Sequence, residues 1–231
     1  MRAASRASAA EVSATFLKKR IPTMNRTLLA GTVAMAIVVL ASNILVQFLV
    51  GDWLTWGAFT YPFAFLVTDL MNRLQGPAAA RRVVYAGFVT GLVCSVIGTQ
   101  IVGEFGPLVS PRVAAASLTA FLLGQLLDIT VFNRLRRGVW WRAPLVSSVL
   151  GSAVDTLAFF TMAFSASLAF LAPGVDVAWA NEPVAMLGRG PVLPLWISLA
   201  VADFGVKLAI AVFALAPFRA LVWQYRAGAA K

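Results

Sequence analysis

Histidine is missing from all 231 residues, and with it the side chain that most often serves as general base near neutral pH or as ligand to zinc, haem or copper. A Ser–His dyad is excluded, and no metal centre or cofactor is expected. The single cysteine, Cys94, excludes an internal disulfide; inside an apolar run it reads as a small buried hydrophobe. Charge is scarce as well. Asp, Glu, Lys and Arg make up 12% of the chain, against about 25% in a soluble domain. Glycine-rich phosphate loops of the Walker type are absent too.

What fills the chain is apolar: 60% of residues are hydrophobic, clustered in runs long enough for the roughly 20 helical residues that cross a bilayer. The fold expected is all-α, a polytopic membrane protein with a six-helix transmembrane bundle and both termini cytoplasmic. The six segments run from Thr27 to Val50, Gly57 to Leu74, Val83 to Gly103, Val113 to Phe132, Ala143 to Ala172 and Val192 to Ala216. The second is short and broken by Pro62, so a re-entrant course is its alternative. Residues 1–26 read as a basic, disordered cytoplasmic tail, residues 27–216 as the transporter domain, and residues 217–231 as a second basic tail. Arg- and Ser-rich character at the N-terminus also fits a transit peptide, and Met24 offers an alternative start. The first apolar run is too long for a signal-peptide core, so no cleavage is expected.

The net charge of +10 suggests nucleic acid until the charges are placed. With six spans, sixteen Lys and Arg fall on one side, only Arg112 and Arg189 on the other, and Lys207 within a span. That asymmetry is the positive-inside pattern of an inner-membrane protein, and it accounts for the basicity without nucleic acid.

Four acids lie inside the apolar segments: Asp69, Asp128, Asp155 and Asp203. Each costs at least about 2.5 kcal/mol near the bilayer centre, so each faces the bundle interior, water or a partner. Asp203 and Lys207, four residues apart, share a helical face and suit an ion pair; Lys207 pairing with Asp155, or proton exchange at Asp203, are the alternatives. Three stripes mix aromatic and polar side chains at helical spacing: Tyr61, Phe65, Asp69 and Asn72; Phe121, Gln125, Asp128 and Phe132; Ser148, Ser152, Asp155 and Phe159. One stripe alone is ordinary polar packing beside a ring. Three together suggest a cavity for a flat, hydrogen-bonding heterocycle, with Tyr61, Asp69, Asn72, Phe121, Gln125, Asp128, Ser152 and Asp155 as its lining. The residues beside the four acids match neither catalytic neighbourhood of an intramembrane aspartyl protease, and an enzyme is not expected.

The segments around these acids also carry a resemblance. Thr60-Tyr61-Pro62, Phe65 to Asp69, Asn72, Gly76, Ala80 to Val84 and Gly87-Phe88 form one block. Ala120-Phe121 with Gln125, Asp128 and Phe132 form a second, and Ser147-Ser148, Ser152, Asp155-Thr156, Phe159-Phe160 and Ala163-Phe164 a third. Together, across roughly residues 30–215, they resemble the queuosine precursor transporter family, also called the vitamin uptake transporter family of integral membrane proteins. Many members have a glutamate after the asparagine where this chain has Arg73, and Ser-Gln where it has Gly124-Gln125. The resemblance implies a secondary transporter in the bacterial inner membrane. Its implied cargo is a deazapurine precursor of queuosine, 7-cyano-7-deazaguanine or its 7-aminomethyl relative. Two alternatives stand beside it: the substrate-capture subunit of an energy-coupling-factor transporter, and an intramembrane enzyme using paired aspartates. A small solute and the bilayer are the expected partners, with a second copy or energy-coupling subunits compatible with them.

Overall fold

Twenty residues without an internal charge build α1, Arg26–Leu45, the first helix in the computed structural model, which describes residues 26–103 and 106–229. Its burial is inverted relative to a soluble helix. Leu29, Val33, Ile37, Leu40 and Ile44 point outward along one stripe, while Leu28, Met35, Val39 and Ser42 point inward. Hydrocarbon solvates the outer stripe, so both faces are apolar and periodicity cannot separate them.

A two-residue hairpin, β1 (Leu49–Val50) with β2 (Leu54–Thr55), returns the chain to a broken helix. Its pieces are α2, Trp56–Thr60, and α3, Phe63–Gln75. Pro62 supplies no N–H and interrupts the ladder there. Tyr61 (φ −56°, ψ −40°) and Pro62 (φ −61°, ψ −18°) keep right-handed helical angles, so the axis continues through the break. The broken element therefore covers the span expected from Gly57 to Leu74, in two pieces.

Helix α3 passes into α4, Pro77–Gln100, through Gly76 alone, whose φ of 86° favours a residue without a side chain. Arg81 and Arg82, expected in a loop, are therefore in the first turns of α4. Further along, Gly87, Gly91, Ser95 and Gly98 make its buried face, with Val89, Leu92, Val93, Val96 and Ile97 outward. The small face admits a neighbour closely: a Cβ on Gly87 would lie 2.7 Å from Met35 of α1 and 2.9 Å from Phe121.

Hairpin β3 (Val102–Gly103) with β4 (Gly106–Pro107) leads to α5, Pro111–Leu135, and then α6, Arg142–Phe164. Two 3-10 turns (Ala166–Leu171 and Trp179–Asn181) and the hairpin of β5 (Pro183–Ala185) with β6 (Val192–Pro194) form the long connection. It delivers α7, Leu195–Phe213, and the chain ends on α8, Leu215–Ala229. The hairpins were not foreseen in an all-α bundle; strands of two or three residues are too short to show alternation. Residues 217–231 were expected as a basic tail; through residue 229 they are helical, as part of α8. Phe218 docks there against Phe132 of α5, with ring centroids 6.2 Å apart, and packs with Ala143 of α6. The N-terminal tail lies almost wholly outside the described residues.

Five helices among the described residues are long and apolar enough to cross a membrane. The protein is a multi-pass membrane protein, mostly helical.

The α5–α6 crossing is the tightest contact that bears on the site. Gly124 and Gly151 face one another there. A Cβ on Gly124 would sit 2.8 Å from the Asp155 Cβ and 3.0 Å from the Gly151 carbonyl oxygen; one on Gly151 would sit 3.2 Å from the Asp128 Cβ. This glycine pair sets Asp128 and Asp155 on either side of one crossing. Gly124→Ala is expected to destabilise the protein by about 1–3 kcal/mol, the usual cost of overpacking, because one obstacle is backbone. The thermal midpoint in detergent is the measurement.

Arginines tie both ends of this region. Arg112, buried at the start of α5, donates to the carbonyls of Met162 (2.7 Å) and Ser165 (2.6 Å) at the end of α6. Arg73, at the end of α3, donates to the Arg136 carbonyl (2.6 Å) just past α5. Each places a cation where a helix presents unpaired carbonyls and the negative end of its dipole. Arg73 thus has a structural task between α3 and α5.

Candidate functional site

The polar side chains inside the bundle fall into two groups. In the first, Asp69 of α3 accepts hydrogen bonds from Ser147 (3.2 Å) and Ser148 (3.1 Å) of α6. Asp128 of α5 comes close enough for the two carboxyls to interact. Asp128 is fully buried, yet among the described residues neither of its oxygens accepts a hydrogen bond. Next to it, Thr68 donates to the Gln125 Oε1 at 2.5 Å, leaving the Gln125 Nε2 without an acceptor. Asn72 donates to the Ile129 carbonyl (3.1 Å), and its Oδ1 is unpartnered. Four buried polar atoms without partners therefore occur on two adjacent helices. Native interiors leave few such atoms, and each calls for a reason.

The second group is an ion cluster. Lys207 of α7 is 4% exposed and reaches Asp155 of α6 at 2.7 Å and Asp203 of its own helix at 2.6 Å. Both partners considered from the sequence are thus engaged at once. Lys207 also donates to the Thr156 hydroxyl (2.9 Å), which donates to Asp203 (2.8 Å). Tyr61 donates to the other Asp155 oxygen at 2.7 Å, and its ring lies 5.3 Å from the Lys207 ammonium. Phe65 and Phe121 meet the Tyr61 ring edge-on, each with centroids 6.3 Å away.

Between the groups lies a cavity of about 10 Å³, lined on its polar side by Asp69, Ser148, Ser152 and Lys207, and otherwise by α3, α6, α7 and the start of α8. It holds about one water, far below the roughly 300 Å³ of a small ligand pocket. The sequence-predicted lining is therefore only partly gathered around open space. Asp69 and Ser152 border the cavity; Tyr61 and Asp155 stand in the ion cluster; Asn72, Phe121, Gln125 and Asp128 pack into the α3–α5 contact. The conformation is closed.

Two comparisons with known proteins bear on what such an interior does. A family model described as a putative vitamin uptake transporter matches residues 55–222, which include every residue of both groups. The chain belongs to this family.

Curated relatives of this vitamin uptake transporter family member agree. The queuosine precursor transporter of Escherichia coli K12 is 35% identical over 196 residues, covering 78% of this chain and 79% of that protein. A probable queuosine precursor transporter of Haemophilus influenzae is 40% identical over 122 residues, 48% of this chain and 52% of that protein. One from Bacillus subtilis is 33% identical over 129 residues, 48% and 56% respectively. No solved structure matches.

Four polar residues that bond within the two groups were not singled out as site residues: Thr68, Ser147, Ser148 and Thr156. Thr68 and Thr156 are chain neighbours of residues that were, and Ser147 and Ser148 adjoin one another. A helix at the centre of a bundle presents two adjoining faces to two neighbours, so consecutive residues bond in different directions. Asp155 reaches Tyr61 while Thr156 reaches Asp203. The polar doublets Thr68-Asp69, Ser147-Ser148 and Asp155-Thr156 are the signal that a single-stripe reading passes over.

Proposed function

We propose that the protein imports queuosine precursors, 7-cyano-7-deazaguanine and 7-aminomethyl-7-deazaguanine, as a secondary transporter of the bacterial inner membrane. The observation that carries this reading is the set of unpartnered atoms on α3 and α5. A guanine-like edge offers two adjacent N–H donors and one carbonyl acceptor. The Asp128 carboxylate is free to accept both donors, and the Gln125 Nε2 to donate to the carbonyl. Such a site rejects solutes lacking those groups, since its own polar atoms are then left unpaired. Tyr61 and Phe121 supply ring faces for stacking. The names carried by the relatives point to the same cargo.

Six crossings follow if α2 and α3 act as one span, which puts both termini and sixteen of the nineteen Lys and Arg in the cytoplasm. On this reading residues 27–216 form the transporting unit, flanked by tails of residues 1–26 and 217–231.

The closed cavity opens by movement of α7. Only Ser198 and Lys207 of that helix are buried, against nine residues of α5 and ten of α6. Little apolar packing is lost when α7 moves away, and its polar contacts can be exchanged for water.

Uptake of labelled precursor, read as queuosine in tRNA of a salvage-deficient cell expressing this chain, tests the function. Proteoliposomes holding only this protein test independence from an ATPase. Restored queuosine together with uptake by the lone protein is the expected result. Cells that stay queuosine-free with the protein present in the membrane would overturn the reading.

A further inference from the structure

The ion cluster is unbalanced. Asp155 and Asp203 bring two carboxylates, and among the described residues Lys207 is the only Lys or Arg that touches either. The other contacts come from the hydroxyls of Tyr61 and Thr156, which carry no charge. Groups facing the cluster from every packed element are accounted for in this way: Tyr61 from the α2–α3 break, Asp155 and Thr156 from α6, and Asp203 and Lys207 from α7. The next acids, Asp69 and Asp128, bring no cation to the cluster. Within a bilayer a net carboxylate draws a second cation strongly.

The shape of the cluster indicates which cation fits. Lys207 Nζ, a primary ammonium, is already held by two carboxylates and a hydroxyl beneath an aromatic face. Those are the acceptors a second primary ammonium needs. Of the Asp203 oxygens, Oδ2 takes the bonds from Lys207 and Thr156; among the described residues Oδ1 takes none, and the side chain is 15% exposed. The cavity reaches Lys207 from the Asp69 side. Asp69, which borders this cavity, adjoins Asp128, so the space runs from beside the ring-reading residues to Lys207.

We infer that Asp155 and Asp203, around Lys207, form a subsite for a primary ammonium on the solute, and so distinguish an aminomethyl-bearing deazapurine from its neutral counterpart. The inference rests on the transport reading above and goes further, dividing the site into a half that reads the ring and a half that reads a charge. When the solute's ammonium arrives, two cations face two carboxylates and the cluster is neutral. With no such group it stays at one negative charge.

Binding of two probes to the full chain in lipid nanodiscs tests this: 7-aminomethyl-7-deazaguanine and neutral 7-cyano-7-deazaguanine. Asp203→Asn makes the empty cluster neutral. It is expected to weaken the aminomethyl probe at least about tenfold, the equivalent of about 1.4 kcal/mol, and to leave the cyano probe within about twofold. Removing the cation as well, in Asp203→Asn/Lys207→Met, returns the single negative charge and is expected to bring the aminomethyl affinity back to within about threefold of wild type. Loss followed by recovery on a second substitution is not what a damaged fold produces. An unchanged aminomethyl affinity in Asp203→Asn, or parallel shifts of both probes, would overturn the inference and leave transport standing. Failure of wild-type protein to bind either probe would overturn the transport reading, and the subsite with it.

Discussion

Asp128→Asn is expected to lower precursor uptake about a hundredfold while membrane levels of the protein stay near wild type. The two halves of that expectation have separate grounds. Asp128 has no close hydrogen-bond partner among the described residues and lies beside Asp69 and Ser147, which an amide of the same shape can still contact. Stability is therefore preserved. For the solute, however, one acceptor oxygen becomes a donor facing a donor. The lost bond to a charged acceptor and the donor left unpaired by the new amide each cost about 1.5 kcal/mol or more, together about 3 kcal/mol, or two orders of magnitude in affinity. Initial rates of labelled uptake, normalised to immunodetected protein, give the measurement. Wild-type rates in this variant would remove Asp128 from the site.

The second large effect concerns Lys207. Lys207→Met is expected to destabilise the protein by about 3–5 kcal/mol, the cost of leaving a buried charge without its partner, and to reduce its level in the membrane. Here two carboxylates lose their shared cation and Thr156 loses a donor. Adding Asp155→Asn and Asp203→Asn together is expected to restore most of the thermal midpoint, since the uncompensated charges are then gone and the methionine packs among the same neighbours. The contrast between the single and triple variants separates electrostatic loss from lost volume. A single variant as stable as wild type would mean that the carboxylates hold protons in place of the lysine.

These expectations depend on contacts that the chain order exposes unevenly. The long helices were legible because hydropathy alone marks them. Helices α5 and α7 fall within three residues of their expected limits, while α1 ends five residues early, α4 begins six residues early and α6 ends eight residues early. The break in the second segment was legible, since Pro62 cannot donate to the ladder. Spacing put Asp203 and Lys207 on one face, because i and i+4 coincide on any helix. Spacing could not put Asp155 within 2.7 Å of the same ammonium, since that depends on how α6 and α7 are rotated against one another. The Gly124–Gly151 crossing was hidden for a related reason. Glycines mark close approach only when the partner helix is known, and neither residue was chosen from the sequence. Helix α8 was passed over because its arginines suggested a solvated tail, whereas Phe218 anchors it.

The arginine contacts at the two ends of the bundle have a consequence for how force is shared. Arg73 fixes α3 to the terminus of α5 at one end of the bundle, and Arg112 fixes α5 to the terminus of α6 at the other. Three helices are thus braced at opposite ends. Helix α7 has no such arginine among the described residues and is tied to α6 through the Lys207–Asp155 pair. A load on α7 would therefore pass to that frame largely through one buried ion pair.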